Sequence, residues 1–362
     1  MVDIVAVLGT RPEKIKLAPV LENLSQSTTA LAIETGQHIE LMHSLGNRSE
    51  SVDSVPLGVS LDSLELSEKL GRMVQELAKK LSELQPRLVL VQGDTSSALA
   101  GAIAARFSDM AVAHVEAGLR TFDQSSPWPE EINRRLISQV ATLHFAPTET
   151  SRQNLVREGI PEGDIHVTGN TAVDVVNDWA QALGIEPAPA DKRGGSIVVT
   201  LHRRESHGTT RIQALETLKN FLDKHPDFHA KLFSHPNPAV LSDLRASAIG
   251  THPNLSVLEP ASHGELLQAI SEASFIVSDS GGIQEEAPSL GRAVFIARDE
   301  TERPEAVDQG RNFLCGAGLQ HFEAKFAEWS STASPPLNNP YGDGNAGARI
   351  ARICQEFLQH VV

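Results

Sequence analysis

Directly after the apolar stretch Phe275-Ile276-Val277 comes Ser278-Asp279-Ser280-Gly281-Gly282-Ile283-Gln284-Glu285-Glu286-Ala287. A strand that ends in a small-residue turn and passes at once into a helix aims backbone N–H groups and the positive end of a helix dipole at one point. Such a point suits a phosphate. The carboxylates of Glu285 and Glu286 follow in the first turn, where a sugar diol attached to that phosphate would lie. The simpler alternative is a tight strand-to-helix turn whose acidic residues complement the helix N-terminus. The motif alone leaves both readings open.

Other apolar runs end in loaded turns too. Ile4–Leu8 leads into Gly9-Thr10-Arg11-Pro12-Glu13-Lys14-Ile15-Lys16, with Pro12 suited to a first helical turn. Arg11 can grip a phosphate in bidentate fashion and Lys16 can offer a point charge, whereas cations placed there for structure alone would oppose the dipole. Leu88–Val91 ends at Gln92-Gly93-Asp94-Thr95, where an isolated Asp94 most simply caps the next helix. Val112–Val115 ends at Glu116, a carboxylate that needs a partner or a purpose at the end of a central strand. Glu130 and Glu131 open a further helix as dipole complements or as something more. His202, beside Arg203 and Arg204, follows Ile197–Thr200 and is expected to face an anion. Carboxylates thus come from the first half of the chain and phosphate-gripping groups mainly from the second. Carboxylates suit proton transfer, and cations suit a departing diphosphate. No Gly-x-Ser-x-Gly elbow, Walker loop, dinucleotide fingerprint or zinc-ligand spacing occurs, so hydrolase, kinase and dehydrogenase readings lack support.

The elements that position these residues alternate between short β-branched runs and amphipathic segments. The clearest helix is the stripe Leu66, Leu70, Met73, Val74, Leu77, Leu81 and Leu84. The Pro- and Gly-rich stretch 184–195 interrupts the alternation and reads as a linker. At 362 residues the chain has room for about two domains. The expected fold class is α/β, with two doubly wound, Rossmann-like domains facing a cleft: 1–183 plus 345–362, and 196–344. A net charge of −15 argues against a general affinity for nucleic acid or anionic membrane. No apolar run has membrane-spanning length, and the N-terminus shows no signal-peptide pattern, so a cytoplasmic protein is expected. Cys315 and Cys354 make neither a metal cluster nor a disulfide framework, and neither metal nor cofactor is expected.

Taken together, Gly9–Glu13, Gly93-Asp94-Thr95, His114–Thr121, Pro129–Arg134, His202–Glu205, Ser278–Pro288, Thr301–Glu305 and Asn339–Gly344 resemble the non-hydrolysing UDP-N-acetylglucosamine 2-epimerases, in order and over almost the whole chain. The resemblance implies a glycosyltransferase-B-like fold, a homodimer, and reversible conversion of UDP-N-acetylglucosamine to UDP-N-acetylmannosamine through 2-acetamidoglucal. It implies catalytic roles for Asp94, Glu116, Glu130, His202 and Lys16. It implies UDP contacts from Arg11, His202, Ser280, Gly281, Gly282 and Glu286, with Glu286 accepting from the ribose. The hydrolysing branch lacks the Pro-Glu pair after Thr-Arg, the Gly-Asp-Thr triplet and His-Val-Glu-Ala-Gly-Leu-Arg, all present here.

Two places depart from the pattern. Gln37-His38 is kept, but 45–70 lacks the apolar-Met stretch and arginine that accompany an activating second substrate site, so allosteric activation is expected to be weak or absent. Leu266 stands where relatives commonly place an aromatic near the base, so a related nucleotide sugar remains an alternative substrate. A glycosyltransferase and a non-catalytic nucleotide-sugar sensor on the same fold are the competing classes.

Overall fold

A computed structural model describes residues 2–36, 53–61, 64–203, 208–234 and 238–360. Gln37–Glu40, residues 45–52 and 62–63 of the departing stretch, and Arg204 lie outside the described residues. The chain divides into two compact units, Met1–Val175 with Gly342–Val362, and Val176–Tyr341.

The first unit holds a seven-stranded parallel sheet: β1 (Ile4–Leu8), β2 (Ala30–Glu34), β3 (Ser54–Pro56), β4 (Leu88–Gln92), β5 (Ala111–Val115), β6 (Leu143–Ala146) and β7 (Ile165–Val167). Their spatial order is β3-β2-β1-β4-β5-β6-β7. Central strands are almost entirely apolar because helices cover both faces; all of β1 and β4 is buried, with Gln92 and His114 the polar exceptions in β4 and β5. Helices α1 (Arg11–Ser25), α2 (Leu66–Leu84), α3 (Ser96–Phe107), α4 (Glu130–Val140), α5 (Glu149–Arg157) and α6 (Thr171–Leu183) follow the strands. The expected stripe on α2 buries Met73, Leu77 and Leu81 against Val5, Val7 and the alanine-rich α3. The other face of β1 (Ile4, Ala6, Leu8) packs with Leu17, Val20 and Leu24 of α1 and with Ile350, Cys354 and Leu358 near the chain's end.

The second unit repeats the scheme with β8 (Gly195–Thr200), β9 (Phe228–Phe233), β10 (Leu255–Leu258), β11 (Ala273–Ser278), β12 (Ala293–Ile296) and β13 (Asn312–Leu314), all parallel and ordered β10-β9-β8-β11-β12-β13. Its helices are α7 (Thr209–Lys224), α8 (Pro238–Ala246), α9 (His263–Glu272), α10 (Gly281–Glu286), α11 (Pro304–Asp308) and α12 (Phe322–Ser331). One core cluster gathers Phe221, Phe228, Phe275, Phe295, Phe322, Phe326 and Trp329. The last helix, α13 (Ala346–His360), belongs to the first unit. Stretch 184–195, read as a linker, is packed into the second unit. Ile185 and Ala190 join its cores, Arg292 holds the Ala188 carbonyl, and Lys192 donates to the Trp329 carbonyl at 2.7 Å. Its prolines and glycines shape a strap and are no sign of a free tether.

In each unit the strand order reverses beside the first strand, between β1 and β4 and between β8 and β11. Such a switch point leaves a crevice beyond the strand carboxyl ends, where ligands of open α/β sheets bind.

Candidate active site

The carboxyl ends of β1, β4 and β5 carry the first group of residues. Glu116 follows β5 with φ +65°, in the left-handed region that few non-glycine residues occupy. Its side chain is fixed from three sides: Lys16 Nζ lies 2.7 Å from Oε1, Asn170 Nδ2 donates to Oε1 at 3.3 Å, and Gln92 Nε2 donates to Oε2. Side-chain exposures of 11% for Lys16 and 7% for Glu116 leave little solvent to weaken that pair. Asp94 follows β4 and receives Arg134 Nε at 2.9 Å and Nη2 at 2.7 Å, while Asn133 Nδ2 holds its carbonyl. The cap of α3 is therefore Thr95, whose Oγ1 accepts from Ala98 N at 3.0 Å. Asp94 is released from the capping role that its sequence position suggested.

Adjacent Glu130 and Glu131 diverge. Glu130 is the half-buried first residue of α4. Glu131 is fully buried and accepts from Thr121 N, Phe122 N and Arg134 Nη1 at 3.1, 3.2 and 3.0 Å, so it shapes the preceding loop. Glu13, also buried, accepts from Gly9 N, Thr10 N and Thr10 Oγ1 at 3.0, 2.6 and 2.7 Å, and from Thr95 Oγ1 at 2.7 Å. It ties the β1 turn to the β4 turn. Burial pushes its carboxyl up to about 7 against the pull of those donors. His114, inside β5, is depressed to about 4 by burial and is therefore neutral. Its Nε2–H donates to the Gly93 carbonyl at 2.8 Å and so fixes the turn that carries Asp94. Arg11 sits half-buried in the first turn of α1, with no carboxylate partner among the described residues.

The second unit places its group at the ends of β8 and β11. Ser280 is the N-cap of α10, and Gly281 and Gly282 form that helix's first positions. The two glycines answer to different constraints. A Cβ on Gly281 would come within 2.8 Å of Arg303 Nη1, whereas one on Gly282 would meet nothing nearer than Glu286 Oε1 at 3.7 Å. Gly281 is thus required by packing, and Gly282 keeps space open between Ser280 and Glu286. Asp279, fully buried, accepts from His202 N at 2.9 Å and Arg203 N at 2.9 Å, fixing the β8 turn that carries His202. The His202 ring is partly exposed, with Nδ1 3.7 Å from Asp279. Glu286 lies 3.9 Å from His263 Nε2. Glu285 is a packing residue: Arg303 Nε donates to it, Arg303 also bonds Glu302, and Arg298 pairs with Glu302 at 2.9 Å. Tyr341 Oη donates to the Arg303 carbonyl at 3.0 Å and closes this buried network.

Asp94, Glu116, His202 and Ser280 thus follow strand carboxyl ends of their own units, Arg11 opens the helix after β1 and Lys16 pairs with Glu116, whereas Glu130 opens α4 and Glu286 ends α10. Sequence reasoning missed Glu13, Gln92, Asn170, Asp279 and His263. Asp279 and Gln92 had a signal, being polar residues within two positions of an apolar run. Asn170 had none, because its partnership with Glu116 spans two separate turns.

Two parallel α/β units of this strand order define the glycosyltransferase-B-like class. The protein belongs to the UDP-N-acetylglucosamine 2-epimerase family, whose family model matches residues 22–355. The UDP-N-acetylglucosamine 2-epimerase of Yersinia pestis is 38% identical over 366 residues, covering 96% of this chain and 97% of that protein. That of Escherichia coli K12 is also 38% identical, covering 96% of each. Among solved structures, the Neisseria meningitidis enzyme bound to UDP-GlcNAc superposes with a TM-score of 0.87 at 34% identity, covering 98% of this chain and all of that one. The Methanocaldococcus jannaschii enzyme in complex with UDP-GlcNAc and UDP gives 0.81 at 32%, covering 98% and 99%.

Proposed function

We propose that the chain interconverts UDP-N-acetylglucosamine and UDP-N-acetylmannosamine by elimination and re-addition of UDP. The observation that carries this reading is Glu116, a carboxylate in strained backbone held by Lys16, Gln92 and Asn170. Structural need alone does not call for such an arrangement at a strand end. The C2–H of the sugar is barely acidic, so rupture of the C1–O bond leads, its electron pair leaving with UDP. As the C2 proton passes to a carboxylate, the C1=C2 bond of 2-acetamidoglucal forms. Re-addition of UDP at C1, with a proton delivered to the opposite face of C2, gives the epimer.

His202, Arg11 and the Ser280–Gly282 turn stabilise the departing diphosphate, and Glu286 holds the ribose hydroxyls. Asp94, Glu116 and Glu130 divide the proton handling, and Lys16 balances the charge on Glu116. Turnover in heavy water with no acceptor present tests this: deuterium appears at C2 of both sugars. Glu116→Gln and Asp94→Asn each slow that exchange by about 10²–10⁴-fold. Turnover without C2 deuterium rejects the mechanism, and turnover that requires an acceptor identifies a glycosyltransferase.

A related nucleotide sugar is the second reading. Leu266 packs against the core around Val176 and Ile270, and the His263 ring stands beside Glu286. Comparing kcat/KM for UDP- and dTDP-linked sugars decides it. We further assign a cytoplasmic homodimer; no helix among the described residues is long and apolar enough to cross a membrane. Weak or absent allosteric activation means that UDP-N-acetylmannosamine alone is turned over without a lag. A lag abolished by traces of UDP-N-acetylglucosamine overturns that assignment.

A further inference from the structure

The amino ends of β12 and β13 lie at the opposite edge of the second sheet from the Ser280 turn. Each of these strands is preceded by a Gly-Arg pair, Gly291-Arg292 and Gly310-Arg311, with the glycines at φ +74° and +65°. The strands are neighbours, with Val294 opposite Asn312, so the two arginines precede adjacent strands one register position apart. Both are at least nine-tenths buried. Both line one cavity, together with Pro189, Trp329, Ser334 and Leu337, and no acidic side chain lines it.

Neither guanidinium has a carboxylate partner among the described residues. Arg292 donates to the carbonyls of Ala188 and Ser271, and its buried Nε bonds nothing. Arg311 donates to the Pro336 carbonyl and to the side chains of Asn338 and Gln309. A third cation lies over Trp329, one of the residues that line the cavity. Lys192 Nζ lies 5.0 Å from the centroid of the Trp329 ring and donates only to the carbonyls of Trp329 and Thr332. Burial pulls the pKa of all three downward, with no acid opposing it. In a chain of net charge −15, three neighbouring cations without a carboxylate are an imbalance that burial makes costly.

We propose that this cavity is a binding site for a small oxyanion such as inorganic phosphate, held by Arg292 and Arg311 at the strand amino ends and separate from the diphosphate seat. A bound oxyanion would accept from the guanidinium N–H groups that the carbonyls leave unused and would lock the 184–195 strap to the sheet. Anion binding to the folded state alone raises stability by mass action.

The test uses the full-length chain with His202→Ala, which removes a diphosphate contact, in low-millimolar sodium phosphate against sodium chloride of equal ionic strength. The thermal midpoint rises with phosphate and saturates. Adding Arg311→Gln abolishes the rise, while the Arg311→Gln single variant keeps wild-type turnover. Should that variant fold poorly, Ser334→Asp decides the matter, because it sets a carboxylate at the exposed rim. It raises the midpoint in phosphate-free buffer and blunts the response to phosphate. The assignment is overturned by the absence of a saturable rise, by a rise undiminished in Arg311→Gln, or by Ser334→Asp leaving the phosphate response intact.

Discussion

Glu13, Glu131 and Asp279 are buried acids whose oxygens go to backbone N–H groups of the site loops: Gly9 and Thr10, Thr121 and Phe122, His202 and Arg203. None was legible as a loop anchor, because an acid beside a turn looks the same in sequence whether it faces a ligand or a peptide group. The Glu130-Glu131 pair makes the point most sharply, since one residue shapes a loop and its neighbour opens the helix. The two glycines of the Ser278 run separate in the same way and yield a prediction. Gly282→Ala folds normally, its Cβ meeting nothing nearer than 3.7 Å, but it fills the space proposed for the diphosphate and raises KM at least tenfold. Gly281→Ala presses on Arg303 and costs about 1–3 kcal/mol of stability. Urea unfolding and steady-state kinetics on both variants check the contrast.

Burial also sets a pH dependence. His114 and His144 are both lowered from 6.5 to about 4. A histidine depressed on folding contributes stability that is present above its unfolded pKa and lost as pH falls toward the folded one. Glu13 works in the other direction, since between about 4.5 and 7 its folded form keeps a proton that the unfolded chain has released. From pH 6.5 down to 4.5 the two imidazoles outweigh the one carboxyl by one proton. Stability therefore falls by about 1.4 kcal/mol per pH unit on acidification from these three groups. His144→Gln removes one titration and flattens their combined slope; denaturant midpoints across that range reveal it.

Among the elements, those with a strong apolar signature were legible. The stripe from Leu66 to Leu84 and the strand Ile4–Leu8 appear at their expected bounds. The edge strands Ser54–Pro56 and Asn312–Leu314 were not. Each is three residues long and forms only because a longer neighbour offers it a free ladder. The apolar face of the last helix and its place with the first domain were legible, though the contacts that seat it were not. Asp174 accepts from Ala346 N at 3.2 Å and Gly347 N at 2.7 Å, and a Cβ on Gly347 would come within 2.7 Å of Pro19. Gly347→Ala pushes this helix off α1 and destabilises the first unit by about 1–3 kcal/mol, read as a lowered urea midpoint with the second unit's transition unmoved.

On the scale of the whole molecule, the sequence showed two α/β halves because strand and helix patterns run through both. The exact changeover was obscured, since composition marks 184–195 while the compact units part at Val175 within a continuous helix. The first unit is made of two separated pieces of chain and the second of one. Deleting 346–360 therefore strips Ile350, Cys354 and Leu358 from the first unit's core and leaves the second unit's core complete. Limited proteolysis of the shortened chain is expected to spare a fragment spanning 176–341.

The same discontinuity has a consequence during synthesis. A ribosome releases 176–341 as an uninterrupted stretch, free to fold as soon as it emerges, while the earlier-made sheet waits for the final fifteen-residue helix. The half made first is completed after the second, and until α13 emerges it shows the bare flank of α1 to any chaperone nearby.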